Sequence, residues 1–180
     1  MSVIFLSGVH GVGKGFLGAP AARALGMDHL TASQLIREEK GRVTWETDKR
    51  VSEVDDNQSA LIRAVARRRA SGRDILLDGH FVLRGPSGNL VPLAKEVFAD
   101  LQLSGVILLT KDTQAIVDRL ISRDGMAVSS EFIAELAAEE LAHANYVCNM
   151  LRLPLDVLNA PNLQMLTEAA IRLRSRRSTN

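Results

Sequence analysis

In the stretch SGVHGVGKGF, Ser7 to Phe16, Gly8, Gly13 and Lys14 stand at the spacing of a phosphate-binding turn. Close glycines let a backbone approach an anion, its N–H groups cradle phosphate oxygens, and a lysine brings a point charge to the β- and γ-phosphates. Gly8, Val9, His10, Gly11, Val12, Gly13, Lys14, Gly15 and Phe16 are therefore the candidate nucleotide-binding residues, with Lys14 as the catalytic cation. The position after the lysine ordinarily carries a Ser or Thr hydroxyl for Mg²⁺, and here it is Gly15. Mg²⁺ keeps several waters, so a water could take that place. Glycine there also costs about 1 kcal/mol of helix propensity against alanine. His10 has two readings, a phosphate contact or a solvent-facing ring.

A second group lies in DILLDGH, where the apolar run Ile75 to Leu77 ends at Asp78, two residues before His80. In open α/β sheets ligands sit beyond the carboxyl ends of the strands. A carboxylate there holds Mg²⁺ through water or orients an attacking hydroxyl; the plainer role is a turn cap. His80 could contact a phosphate, take a proton, or simply pack at the surface.

These groups need elements to hold them. Val3 to Leu6 is a short apolar run with β-branched residues, the pattern of a strand buried on both faces, and a helical stretch follows to about Leu25 with Gly26 as its cap. Pro20 inside it should kink or shorten that helix. Met27 to Leu30 reads as a second strand and Thr31 as the N-cap of the next helix. Residues 41–55 are polar and irregular in period; a helix follows from Asp55 to near Gly72. After the Asp78 strand, FVLRGPSGNLVP has the alternation and turn residues of a short hairpin, and Pro92 to Leu101 reads as a helix. GVILLT is a strand, KDTQAIVDRLISRD a helix, and SSEFIAELAAEELAHANYVCNML a long helix capped by Ser129 or Ser130. LPLDVLN is the last strand and Leu163 to Leu173 the last helix. Alternating strands and helices argue for an α/β fold, a parallel sheet with helices on both faces.

The 180 residues are expected to form a single domain, 1–180. A net charge of +1 gives no global drive towards nucleic acid or membrane, and one cysteine, Cys148, excludes an intramolecular disulfide. No apolar run approaches the about 18 residues of a membrane span, and the N-terminus lacks a basic signal-peptide region. These features read as cytoplasmic. The tail arginines Arg172, Arg174, Arg176 and Arg177 are read as a solvated helix end rather than a nucleic-acid contact.

SGVHGVGKG together with DGHFVLRGPSGNLVP resembles the archaeal-type adenylate kinases of the P-loop nucleoside-monophosphate kinase class. Asp78, His80, Arg84, Pro86, Gly88 and Leu90 match that family's second motif. The resemblance implies a three-layer αβα P-loop NTPase fold with a parallel five-stranded sheet, and ATP- and Mg²⁺-dependent phosphoryl transfer to a nucleotide, nucleoside or similar small acceptor. It implies an acceptor-binding segment at about 41–60, with Lys49 or Arg50 on a phosphate, and acceptor contacts from His80 and Arg84. It also implies a short lid at about 119–130. Arg119 and Arg123 lie four apart on one helix face and would reach the transferred phosphate. Their plainer role is pairing with Asp112 or Asp118. Asn159 and Ala160, after the last strand, would pass the adenine ring. Trp45 either stacks on a base or packs the 41–60 segment down. Relatives of this type also form homo-oligomers. Two departures stand out: Gly15 in the loop, and no arginine in GMAVSSEF after Arg123 and Asp124. Both bear on metal-assisted transfer, and a nucleotide-binding regulator or slow ATPase is the other reading.

Overall fold

The computed structural model of the chain describes residues 1–42, 53–85, 87–125 and 128–175. A parallel sheet of five strands, in the order β2-β3-β1-β6-β7, forms its centre. The strands are β1 (Val3–Ser7), β2 (Asp28–Thr31), β3 (Ile75–Asp78), β6 (Gly105–Thr110) and β7 (Leu155–Asn159). β1 lies between β3 and β6, and every residue of it is buried. That is why its sequence runs apolar without alternation.

Successive β1 side chains point to opposite faces and seed two cores. Val3 and Phe5 join one cluster with Ile75, Leu77, Val106 and Leu108. That cluster is closed by α2 (Ala32–Arg42), α3 (Glu53–Arg69), α4 (Lys95–Asp100) and α6 (Ser130–Leu151). Ile4 and Leu6 join the other with Leu76, Ile107 and Leu109, closed by α1 (Lys14–Leu25), α5 (Thr113–Asp124) and α7 (Leu163–Ser175). The result is the three-layer P-loop NTPase arrangement expected from the sequence. Each fully buried Leu, Ile or Phe contributes about 1.5–3 kcal/mol through lost apolar exposure.

The expected hairpin is present: β4 (Val82–Arg84) pairs antiparallel with β5 (Leu90–Pro92). Two local expectations are corrected. Pro20 does not shorten α1, which runs unbroken to Leu25 and closes on Gly26 in the left-handed conformation. The helix expected from Pro92 starts only at Lys95, because Pro92 pairs with Val82 in the two-stranded ribbon, where an edge proline is tolerated. The N-caps are as expected: Thr31 Oγ1 accepts from the Gln34 N–H at 3.2 Å, and Ser129 Oγ from the Phe132 N–H at 3.2 Å. Among the described residues no helix is long and apolar enough to cross a membrane. Two of the four tail arginines fold back onto the body, Arg172 on Asp156 at 2.9 Å and Arg174 on Asp74 at 2.6 Å; Arg176 and Arg177 lie outside the described residues.

Candidate active site

The register of β1 against β3 fixes the site. Leu6 is paired with Asp78, and the Gly79 N–H donates to the Leu6 carbonyl at 3.1 Å. The turn after β1 and the turn after β3 therefore leave the sheet side by side. Gly8 takes φ 136°, and a Cβ there would fall 2.5 Å from the Leu109 carbonyl oxygen, so only glycine admits this close approach to β6. Gly79 is constrained by packing instead: a Cβ would meet the Phe5 ring at 2.6 Å.

Lys14 opens α1 and is 7% exposed. Its Nζ donates to the Gly8 carbonyl at 2.6 Å and reaches the Val9 carbonyl at 3.4 Å, with Asp78 Oδ1 at 3.9 Å. Burial lowers the Lys14 pKa, while the charges of Asp78 and Glu140 act to raise it. Burial raises the Asp78 pKa, opposed by Lys14, His29 and His10. The His80 imidazole is pushed from 6.5 down to about 3, chiefly by burial and then by the positive charge of Lys14. A base that weak is neutral at physiological pH and a poor proton acceptor. Asp78 is the better one.

Both α5 arginines face the phosphate loop. Arg119 Nη1 donates to the Gly11 carbonyl at 3.3 Å, and Arg123 Nη2 lies 2.9 Å from His10 Nε2. A guanidinium only donates, so His10 Nε2 is the acceptor in that pair. Asp112 accepts from the Ala115 N–H as the α5 cap, and Asp118 accepts from Gln114.

One cavity of about 620 Å³ joins these groups. Lys14, Asp78, His80, Arg119 and Arg123 line it, with His10, Gly11, Gly13, Gly15 and Phe16 of the loop. Gly8 is buried behind that lining, and Val9 and Val12 point into the core beneath the loop. Other predicted residues are placed elsewhere. Arg84 sits outside the cavity wall with its guanidinium 4.8 Å from the centre of the Phe132 ring. Asn159 and Ala160 are off the cavity at the end of β7. There the Ala160 N–H donates to the Thr110 carbonyl at 2.8 Å, and Thr110 Oγ1 donates to Asn159 Oδ1 at 3.3 Å. Lys49, Arg50, Trp45 and Pro86 lie outside the described residues.

The sequence reading missed Glu140, in the middle of α6 and 2% exposed. Its carboxylate accepts from the Ser7 hydroxyl and from the N–H groups of Gly8 at 3.3 Å, Phe81 at 3.0 Å and Val82 at 2.8 Å. It thus ties the phosphate turn to the turn that carries Asp78 and His80. A signal was present in the sequence: Ile133, Glu140, Ala144 and Val147 form one buried helical stripe, on which Glu140 is the sole charge.

The residues present fit a nucleotide phosphate: left-handed glycines, a helix N-terminus and three cations converge on one loop. They fit Mg²⁺ more sparingly. Asp78 is the single carboxylate among the described lining residues, and Gly15 contributes no ligand.

Residues 7–141 match the AAA domain family, and the chain belongs to that family. The fold is similar to a shikimate kinase from Acinetobacter baumannii in complex with shikimate, at TM-score 0.61 and 15% identity, covering 100% of this chain and 96% of that one. It is also similar to a gluconokinase from Sinorhizobium meliloti, at TM-score 0.56 and 17% identity over 97% and 92% of the two chains. A sugar kinase from a Janibacter species aligns at TM-score 0.54 and 17% identity, over 97% and 95%. No curated protein sequence matches the chain.

Proposed function

With membership of the AAA domain family as the premise, we propose that this chain is an ATP-dependent phosphotransferase acting on the hydroxyl of a small acceptor. One observation carries the reading. Lys14 from the phosphate loop, Asp78 from the end of β3 and Arg119 and Arg123 from α5 line a single cavity. Phosphoryl transfer needs little covalent help from a protein; it needs alignment and stabilisation of the charge that spreads over the phosphoryl oxygens.

Lys14, Arg119 and Arg123 supply that positive charge. The acceptor hydroxyl is oriented towards Asp78, which receives its proton; burial has already made that carboxylate more basic than usual. Asp78 would also hold Mg²⁺ through water, most of the ion's ligands coming from phosphate and solvent. When bound, Mg²⁺ neutralises charge on the β- and γ-phosphate oxygens. Glu140 keeps the two turns in register without reaching the cavity itself.

The test is release of ADP and transfer of labelled γ-phosphate by purified protein with Mg-ATP across a panel of hydroxyl acceptors. ATP binding with no transfer to any of them would favour the second reading, a nucleotide-binding regulator, which Gly15 and the arginine-poor segment after α5 support.

A further inference from the structure

The cavity has two unlike walls. Among the described residues, every charged side chain on it belongs to the phosphate loop, to the end of β3 and the turn after it, or to α5. The other wall, from α2, α3, α4 and the residues flanking α4, is made of Ile36, Leu61, Leu93, Val97, Phe98 and Leu101. Phe98 and Leu101 are each 1% exposed and back this wall from the core, while Ile36 and Leu93 are the half-buried residues in front of them. Its polar complement is neutral: Thr31 and Ser33 at the start of α2, Asn57 and Gln58 on α3.

Four basic residues of α2 and α3 are held in ion pairs instead. Lys40 pairs with Asp56 at 3.0 Å, Arg67 with Glu39 at 2.8 Å and Arg68 with Glu38 at 3.0 Å; Arg63 also reaches Glu39, at 3.5 Å. A phosphate or carboxylate placed against the wall would lose its water and meet no described cation. An unpaired buried anion is among the most unfavourable arrangements a protein can hold. A neutral body with apolar surface gains instead from each Å² removed from water. The volume suits a small organic molecule.

We infer that the acceptor is an uncharged alcohol with a large apolar body, aromatic or alicyclic, rather than a nucleoside monophosphate or a sugar acid. The inference rests on the phosphotransferase reading for its chemistry. The acceptor hydroxyl oxygen forms a bond to the γ-phosphorus of ATP, and the bond from that phosphorus to the β–γ bridging oxygen breaks. ADP leaves with that electron pair, and the hydroxyl proton passes to Asp78 and then to solvent. The apolar body stays on the α2–α4 wall, while Asn57 or Gln58 hydrogen-bonds a second neutral polar group.

The experiment is calorimetry on the full chain with 1-naphthalenemethanol and 2-phenylethanol against AMP and gluconate, each with and without ATP. The larger alcohol should bind at least tenfold more tightly than AMP or gluconate, and more tightly than the smaller alcohol. Tighter binding of AMP or gluconate, or no binding of either alcohol, overturns the inference. Ile36→Trp, which fills the apolar wall, should weaken naphthalenemethanol binding at least tenfold. ATP binding in the same sample reports that the fold is intact, and undiminished alcohol binding by that folded variant overturns the placement. The two readings fail separately. Alcohol binding without ATP binding sinks the phosphotransferase reading and supports the cavity assignment; ATP binding with AMP preferred does the reverse.

Discussion

The two walls of the cavity are built in different ways. The phosphate wall is made of backbone and charge, and much of it is continuous in sequence: nine residues from Gly8 to Phe16 supply the loop. The apolar wall is the edge of the core, with Ile36 and Leu93 half-buried along the cavity. Its Phe98 stacks on Phe81 at 4.4 Å between ring centres, and Phe81 meets Phe5 edge-on at 5.2 Å. The first wall is specified by local conformation, the second by packing. Damage to the first should therefore appear in turnover, and damage to the second in stability and acceptor choice.

The largest effect should come from the charge. Lys14→Met is expected to lower phosphoryl transfer about 10³-fold, measured as labelled phosphate transferred under saturating acceptor, with the thermal midpoint nearly unchanged. A large loss of midpoint would mean that the walls are not separable in this way. On the other side, Phe98→Ala should cost about 3 kcal/mol of stability, read from urea denaturation, and loosen acceptor binding while ATP binding survives. Asp78→Asn should lower turnover about 10²-fold. In the parent protein, activity should rise with pH through an inflection above the ordinary aspartate value of about 3.9, because burial raises the Asp78 pKa. That inflection should vanish in the variant.

Gly15→Thr tests the loop from the opposite direction. A Cβ there meets nothing within 4 Å, so the threonine should be accepted and should raise turnover about tenfold, ~1.4 kcal/mol in the barrier. No gain would say that the metal is held without that hydroxyl. The smallest effect should be at His80. Its folded value of about 3 lies below its ordinary 6.5. The stability it contributes is therefore full above 6.5 and is lost as pH falls towards 3. His80→Gln should flatten the urea midpoint between pH 7 and 4 relative to the parent.

What the sequence made legible follows the same division. The glycine loop, the Asp78 strand end and the arginine pair on α5 are each local patterns, and the structure brings Lys14, Asp78, Arg119 and Arg123 together. The parallel sheet with helices on both faces needed only the alternation of short buried runs with helices. The apolar wall was not legible, because Ile36, Leu61 and Leu93 look like any core residues until the fold sets them along the cavity. Glu140 was hidden for a related reason. It stands among Glu135 and Glu139 on the same helix, and only contacts spanning 58 to 133 residues of chain distinguish it. Arg84 shows the converse. Its motif matched, yet its guanidinium rests on Phe132 of α6 rather than on the cavity, a tertiary contact that the motif does not encode.

Glu140 has a consequence for motion. One carboxylate is acceptor to amides from two turns that share no local sequence. If the middle of α6 opens, those amides lose their partner in the same event. The Gly8, Phe81 and Val82 amides therefore belong to one cooperative unit with α6, exchanging with solvent together. The nucleotide turn and the base-bearing turn are assembled or dissolved as a pair, so a chain that has lost half its active site is a rare species.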